Sequence, residues 1–376
     1  MISKFKTRES NIELLRILAM IMIIMGHVIQ HGIEFQFEDI ISHPPSLYFN
    51  HFMFYKRLTF IQVFRLFGQI GNVIFIIITG YFLAEKKHIN ISKSLKKLLS
   101  QVLFATLLLV ISSFVFYKIG SPNFKGLVDF DIFYSEWWFV GYYIVIIIMG
   151  ELFLNKFLSK LNKKSYITFL LALFAIVSLK HPGDAIQQIS SNLRSICSGV
   201  LIYSFGGYIK KYKPFKDIKT IVFVLLIVIT LLEIGLSYHN YTITNINNAL
   251  YNFNPNYTQK LFHLDRYSVE AIVIGTSIFE LFRRMKIKKS KFINYLAAST
   301  FMVYLIHENN FMWQIWQKYD WVVAYYYNMP KFFMMFAMCV LNMFAVGVLA
   351  YILYSSLIKF FESKTFKKII YKKGTV

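Results

Sequence analysis

Long apolar runs separated by short, lysine-rich polar stretches fill this chain. Runs of near-spanning length fall near residues 11–30, 60–84, 98–117, 136–155, 166–181, 194–209, 219–238, 267–282, 292–312 and 332–358. A helix needs about 20 mostly apolar residues to cross the hydrocarbon core of a bilayer. The pattern predicts an all-α fold: a polytopic membrane helix bundle of about ten transmembrane helices. The fifth and sixth runs are barely long enough, and Lys180-His-Pro-Gly-Asp184 between them reads as a turn. Losing both together would leave the orientation of all the others unchanged.

Loop charge sets the direction. With the N-terminus inside and the loops alternating, the inner segments hold 29 of the 41 Lys and Arg. Every inner loop is basic, as the positive-inside rule requires, and both termini are expected in the cytoplasm. The outer loops differ in character. Residues 31–57 carry His31, Glu34, Glu38, Asp39, His43, Pro44, Pro45 and His51, and residues 239–266 are rich in Asn and Tyr.

Composition agrees with this reading and removes one alternative. The net charge of +22 would suggest nucleic acid in a soluble protein, but 56% of the residues are hydrophobic and the basic ones lie between spans. No nucleic-acid partner is expected; membrane lipid is. Cys197 and Cys339 show no metal-ligand spacing and read as plain buried thiols. No cleavable signal is expected, because the first apolar run has no small-residue cleavage site and leads into more spans. Residues 1–376 are expected to form a single integral-membrane domain, with 359–376 a basic cytoplasmic tail on the inner leaflet.

The first span carries the candidate chemistry. It holds Glu13, Arg16 and His27 in an otherwise apolar segment, an arrangement costly to build in lipid. Arg16 and His27 lie eleven residues apart, which at about 100° per residue is close to three full turns and about 16 Å of helix. They share one face, with Met20 and Ile23 between them. Arg16 can snorkel to the inner surface or hold a phosphate or polarised carbonyl. His27, toward the outer end, has the side chain suited to a general base near neutral pH. Ser10-Asn-Ile-Glu13 has the form of a capping box, and Glu13 can pair with Arg16 three residues on. Glu13 cannot reach His27, about 21 Å away on the same rod.

Other residues join as candidates. Tyr304 and His307 share a face of the ninth span, with His307 at a depth similar to His27. Glu233 and Glu270 lie in outer halves and are candidates to orient His27, although which acid faces it is not fixed by spacing. Thr79 and Gly80 suit close helix packing or a backbone opening. Trp137 and Trp138 form an aromatic belt in the first instance, and Trp138 can also stack on a sugar. Arg283 and Arg284, in an inner loop, can bind phosphates.

These residues resemble the membrane acyltransferase-3 family, bacterial integral-membrane O-acyltransferases acting on cell-surface polysaccharide. The resemblance starts at Arg8 to His27, with Glu13, Arg16, Ala19 and His27 at the family's places. It continues through Phe75 to Leu83, Trp138-Phe139, and Phe301 to His307. Departures are Ile17 for glycine, Glu13 for aspartate, Thr79 for serine, and Glu308 where proline is frequent. The esterase-like domain of some members is not seen, so final transfer is expected within the membrane domain.

The resemblance implies an O-acetyltransferase of the bacterial cytoplasmic membrane. It would take acetyl-CoA as donor and a hydroxyl of an extracytoplasmic or lipid-linked polysaccharide as acceptor. His27 would be the general base or a transient acyl carrier, and Arg16 would hold the donor with Arg283 and Arg284. Glu13, Tyr304 and His307 would support, and Trp138 would meet the acceptor. No metal is expected. The alternative is a transporter or flippase for polysaccharide or small solutes, which intramembrane charges would suit equally.

Overall fold

A computed structural model describes residues 9–37, 52–119, 137–178, 184–252 and 268–362. Side chains are described over 9–37, 61–115, 137–178, 193–240 and 268–361. Every described element is helical. In chain order these are α1 (Ser10–His27), α2 (Phe52–Leu83), α3 (Ile91–Ile119), α4 (Trp138–Met149), α5 (Asn155–Lys160) and α6 (Lys163–Ser178). They continue with α7 (Asp184–Tyr212), α8 (Thr220–Asn252), α9 (Val269–Arg284), α10 (Lys291–His307), α11 (Asn310–Gln317), α12 (Trp321–Tyr327) and α13 (Met329–Glu362).

Among the described residues, six helices are long and apolar enough to cross a membrane. They lie at 10–37, 61–83, 91–115, 138–160, 220–240 and 329–361. The protein is a multi-pass membrane protein. The remaining predicted segments are also helices, α6, α7, α9 and α10, but these are shorter or more polar. The layering is that of a bundle in lipid. In the most apolar stretch of α1, 72% of residues are buried, against 11% in α8. Leu225, Ile229, Leu232 and Leu236 of α8 and Leu99, Leu103, Leu107 and Ile111 of α3 face outward. Such a surface is stable only against hydrocarbon.

The centre is α1 on α2, and close packing needs glycine there. A Cβ on Gly26 would stand 2.7 Å from Gly68 Cα, and one on Gly71 would stand 2.5 Å from the Ala19 carbonyl. These pairings run in opposite senses along the chain, so the two helices are antiparallel. Further along, a methyl on Gly80 would overlap the Tyr203 carbonyl of α7. Gly80 therefore serves helix packing, as small residues do in membranes, while Thr79 lines a cavity.

Several boundaries move from their predicted places. The rod of α1 does not stop at residue 30. It passes through a π-helical stretch, Val28–Ile33, and continues helical to Phe37. His31 and Glu34 are thus on the rod, while Glu38, Asp39, His43, Pro44, Pro45 and His51 lie outside the described residues or their side chains. Helix α3 starts at Ile91, with Asn90 Oδ1 accepting from Lys93 N at 2.9 Å. Lys93, Lys96 and Lys97 are accordingly helical, because long lysine stems tolerate an interfacial first turn. Helix α8 extends to Asn252, beyond its apolar run. The ninth predicted span ends at His307, not residue 312, and short α11 and α12 follow.

The capping box does not form. Ser10 is the first helical residue, and no side chain caps α1. Its hydroxyl instead donates to Asn294 Oδ1 (3.1 Å) and accepts from Ser290 N (2.9 Å). That contact joins the beginnings of α1 and α10, and their ends also meet, so these two helices run parallel.

Candidate active site

The parallel packing of α1 and α10 brings His27 and His307 together. His27 Nδ1 lies 3.0 Å from His307 Nε2, and both rings are buried. The sequence expectation of similar depth holds. On the other side of the ring, His307 Nδ1 lies 2.8 Å from the Val303 carbonyl. A carbonyl only accepts, so that nitrogen carries the proton. In neutral His307, Nε2 is then the acceptor, and His27 Nδ1–H donates to it. The lone pair of neutral His27 is left on Nε2.

The acid at this site is Glu308, not Glu233 or Glu270. Its carboxylate is buried against His27 and accepts from the same Nδ1–H, a contact that becomes an ion pair only when His27 is protonated. Glu233 is exposed and Glu270 is partly exposed. Glu308 arrives there because α10 stops one residue earlier. Its backbone (φ −92°, ψ 75°) leaves the helix. Asn309 then closes both ends of the break. Its Nδ2 donates to the Ile306 carbonyl at 2.7 Å, and its Oδ1 accepts from Met312 N at 3.1 Å as the N-cap of α11. The Asn309-Asn310 pair ahead of an apolar run was the available signal.

His27, His307 and Glu308 are also the residue types of a metal triad, with their ligand atoms within 4.8 Å of one another. The 3.0 Å between the two nitrogens is a hydrogen-bond distance. Two ligands at about 2.0–2.1 Å on tetrahedral zinc stand about 3.3 Å apart. At this spacing the two imidazoles share a hydrogen bond, and the same three side chains are ones that could hold a metal ion.

Around it lies an aromatic and polar shell. Tyr304 packs edge-on against His307 at 5.7 Å between centroids, and Phe139 meets Tyr304 at 5.8 Å. His31, one π-helical turn beyond His27, stacks on Trp313 at 3.6 Å. Gln317 Nε2 donates to the His31 carbonyl at 2.9 Å, and Trp321 is fully buried. Helices α11 and α12 thus cover this end of the bundle.

A cavity of about 440 Å³ approaches the cluster from the opposite direction. Its mouth carries Arg16, Lys86, His88, Lys93 and Lys97. Its inner wall includes Met20, Ile23, Phe139, Tyr143, Phe301 and Tyr304. The stripe Arg16, Met20 and Ile23 therefore lines one wall, as its spacing predicted. Ile23 and Tyr304 are each about one helical turn short of His27 and His307. Neither histidine is among the lining residues. Arg16 Nε is buried with no hydrogen-bond partner, and Glu13 stands 3.9 Å from NH1. The Arg16 guanidinium is thus only lightly engaged where it lines the cavity.

The mouth is held in shape from outside. Glu151, in the π-helical stretch Gly150–Leu154 between α4 and α5, accepts hydrogen bonds from His88 and from Ile89 N. Asn155 Nδ2 donates to the Leu83 carbonyl at 2.8 Å, and Tyr203 OH donates to Asn155 Oδ1 at 2.9 Å. The loop between α2 and α3 is thereby tied to α5 and α7.

The model of the acyltransferase-3 family, described as Acyltransferase domain, matches residues 9–354. The chain belongs to that family. It is an acyltransferase. No curated protein and no solved structure matches it.

The expected site of this acyltransferase is gathered only in part. Arg16, His27, Tyr304 and His307 lie along one path, with Glu13 beside Arg16. Arg283 and Arg284 are not among the cavity-lining residues. Both bind Glu280, with Arg283 NH2 at 2.7 Å from its Oε2. Arg284 also donates to the Phe215 and Ile218 carbonyls, each at 2.6 Å, and lies over the Phe223 ring. Both arginines neutralise the fully buried Glu280 carboxylate, and Arg284 also fastens the α7–α8 loop. Trp138 does not line the cavity either. It packs on Tyr142, and its neighbour Phe139 takes the place facing Tyr304. The cationic mouth from Lys86 to Lys97 was missed as a site, because in sequence those lysines read as one more inner loop.

Proposed function

We propose that this acyltransferase is an O-acetyltransferase. It moves an acetyl group from cytoplasmic acetyl-CoA to a hydroxyl of an extracytoplasmic or lipid-linked polysaccharide. The observation that carries this reading is the polarity of one path: cations at the cavity mouth, and a buried histidine–carboxylate cluster one turn beyond its aromatic end. The donor's phosphates meet Arg16, Lys86, Lys93 and Lys97, and its extended arm fills the cavity toward Ile23 and Tyr304. His27 Nε2 takes the proton of the acceptor hydroxyl, whose oxygen attacks the thioester carbonyl; the C–S bond breaks, and the imidazolium returns the proton to the sulfur as CoA leaves as the thiol. Glu308 stabilises the imidazolium that forms, and His307 fixes the ring. The loop charges support about ten spans in one integral-membrane domain with both termini cytoplasmic, placing the mouth on the donor side.

The test uses purified protein in detergent, acetyl-CoA and a glycan acceptor. His27→Ala is expected to lower kcat by about 10³-fold, within the usual range for a lost general base. Arg16→Ala is expected to raise the donor KM about 10-fold, as loss of one charge-assisted contact does. Single turnover without acceptor separates direct attack from a His27 acyl carrier: CoA release with label retained on the protein selects the carrier. In cells, glycan that is still exported but carries no acetyl in the His27→Ala strain rules against transport as the main role. Acetylation that survives both substitutions refutes the assignment.

A further inference from the structure

Gln101 is a neutral amide among the cavity-lining residues whose oxygen has no hydrogen-bond partner among the described residues. It is only 2% exposed, and its Oε1 is buried without a hydrogen-bond partner. Leaving a buried amide oxygen unmade is costly, and such groups in a native fold call for a ligand or another explanation. Gln101 lines the same cavity as Lys93 and Lys97. All three are on α3, at spacings of four residues, so they form one stripe. Gln101 lies about 6 Å deeper along the helix than Lys97 and about 12 Å deeper than Lys93. The stripe thus passes from cation at the mouth to uncharged amide inside, before the aromatic end at Phe139 and Tyr304.

The chemistry of that change is selective. An unpartnered carbonyl oxygen needs a donor. Phosphate oxygens and a thioester accept only, so neither satisfies it with the amide in this orientation. A secondary amide N–H does, and the arm between nucleotide and thioester in acyl-CoA carries such amides. We propose that Gln101 is a specificity-determining residue that accepts a hydrogen bond from an amide N–H of the donor's arm. This rests on the acyl-CoA reading of the cavity. The mouth would recognise phosphate, Gln101 would recognise the arm, and a donor lacking either would bind less well.

The experiment separates the two halves of the donor. Acetyl-CoA is titrated against wild type and Gln101→Met, which keeps the volume and removes the amide. Adenosine bisphosphate, the nucleotide end without the arm, is used as competitor on the same samples. Expected is a donor KM raised about 10-fold, the factor for about 1.4 kcal/mol of lost binding. The competitor's inhibition constant should stay within about 2-fold and the acceptor KM should be unchanged. Gln101→Leu should behave alike, and an intact competitor constant shows that either variant is folded. An unchanged donor KM overturns the proposal. So does a competitor constant that rises with it, which marks a structural role, or a rise confined to the acceptor KM. If wild type neither turns over acetyl-CoA nor binds the nucleotide, the acyl-CoA reading itself has failed and Gln101's role falls with it.

Discussion

At the scale of residues, the site depends on one nitrogen. His27 Nδ1 faces both His307 Nε2 and the Glu308 carboxylate, and the Val303 carbonyl decides which ring of the pair donates. This makes Glu308 the group that matters when His27 gains a proton. Glu308→Gln keeps the shape and removes the charge. It is expected to lower kcat by about 10²-fold or more, in line with loss of the carboxylate behind a catalytic histidine, with the donor KM within about 2-fold. Steady-state kinetics with acetyl-CoA would measure both. A fall in kcat/KM driven by KM alone would contradict this role. Arg16 and His27 were legible from spacing because they share one unbroken helix. Glu308 was not, because helical periodicity sets residue 308 about 100° away from residue 307. Only the break after His307 turns its side chain back to the imidazole.

At the scale of elements, hydropathy located the rods but not their ends. Helix α3 begins in lysines that hydropathy assigns to a loop, and two of them, Lys93 and Lys97, line the cavity mouth. The π-helical stretches after His27 and Met149 leave no hydropathy signature, yet each sets a polar side chain, His31 or Glu151, against a neighbouring element. Packing between rods was legible only as small residues of uncertain use. The structure gives Gly80 a definite one, since α2 and α7 approach with no room for a side chain. Gly80→Val should destabilise the fold by about 3 kcal/mol or more, at the upper end for overpacking, because backbone rather than a flexible side chain must yield. Gly235→Val, where a Cβ meets open space, should stay within about 1 kcal/mol of wild type. Unfolding followed in detergent would compare them. Equal stability of the two variants would contradict the close α2–α7 approach.

At the scale of the whole molecule, cations and histidines occupy opposite ends of one path, and each end should govern a different kinetic constant. In the proposed reaction the mouth acts before chemistry, through attraction between lysines and a polyanionic donor. Exposed charges act over about one Debye length, about 8 Å at physiological ionic strength, so added salt weakens that attraction. Lys93→Ala with Lys97→Ala together should raise the donor KM at least 10-fold at low salt, if each contact is worth about 0.7 kcal/mol or more. The same pair should flatten the dependence of KM on salt, because fewer screened charges remain. Their kcat should stay within about 3-fold, since at about 1.5 Å per residue α3 sets these lysines several turns from the reacting end. His27→Ala should show the reverse: low kcat, with wild-type KM and salt dependence. Donor titrations of both variants from low to high salt would decide the matter. If removing the lysines leaves both the KM and its salt slope unchanged, the donor does not enter by this mouth. The basic stretch would then serve only to set topology.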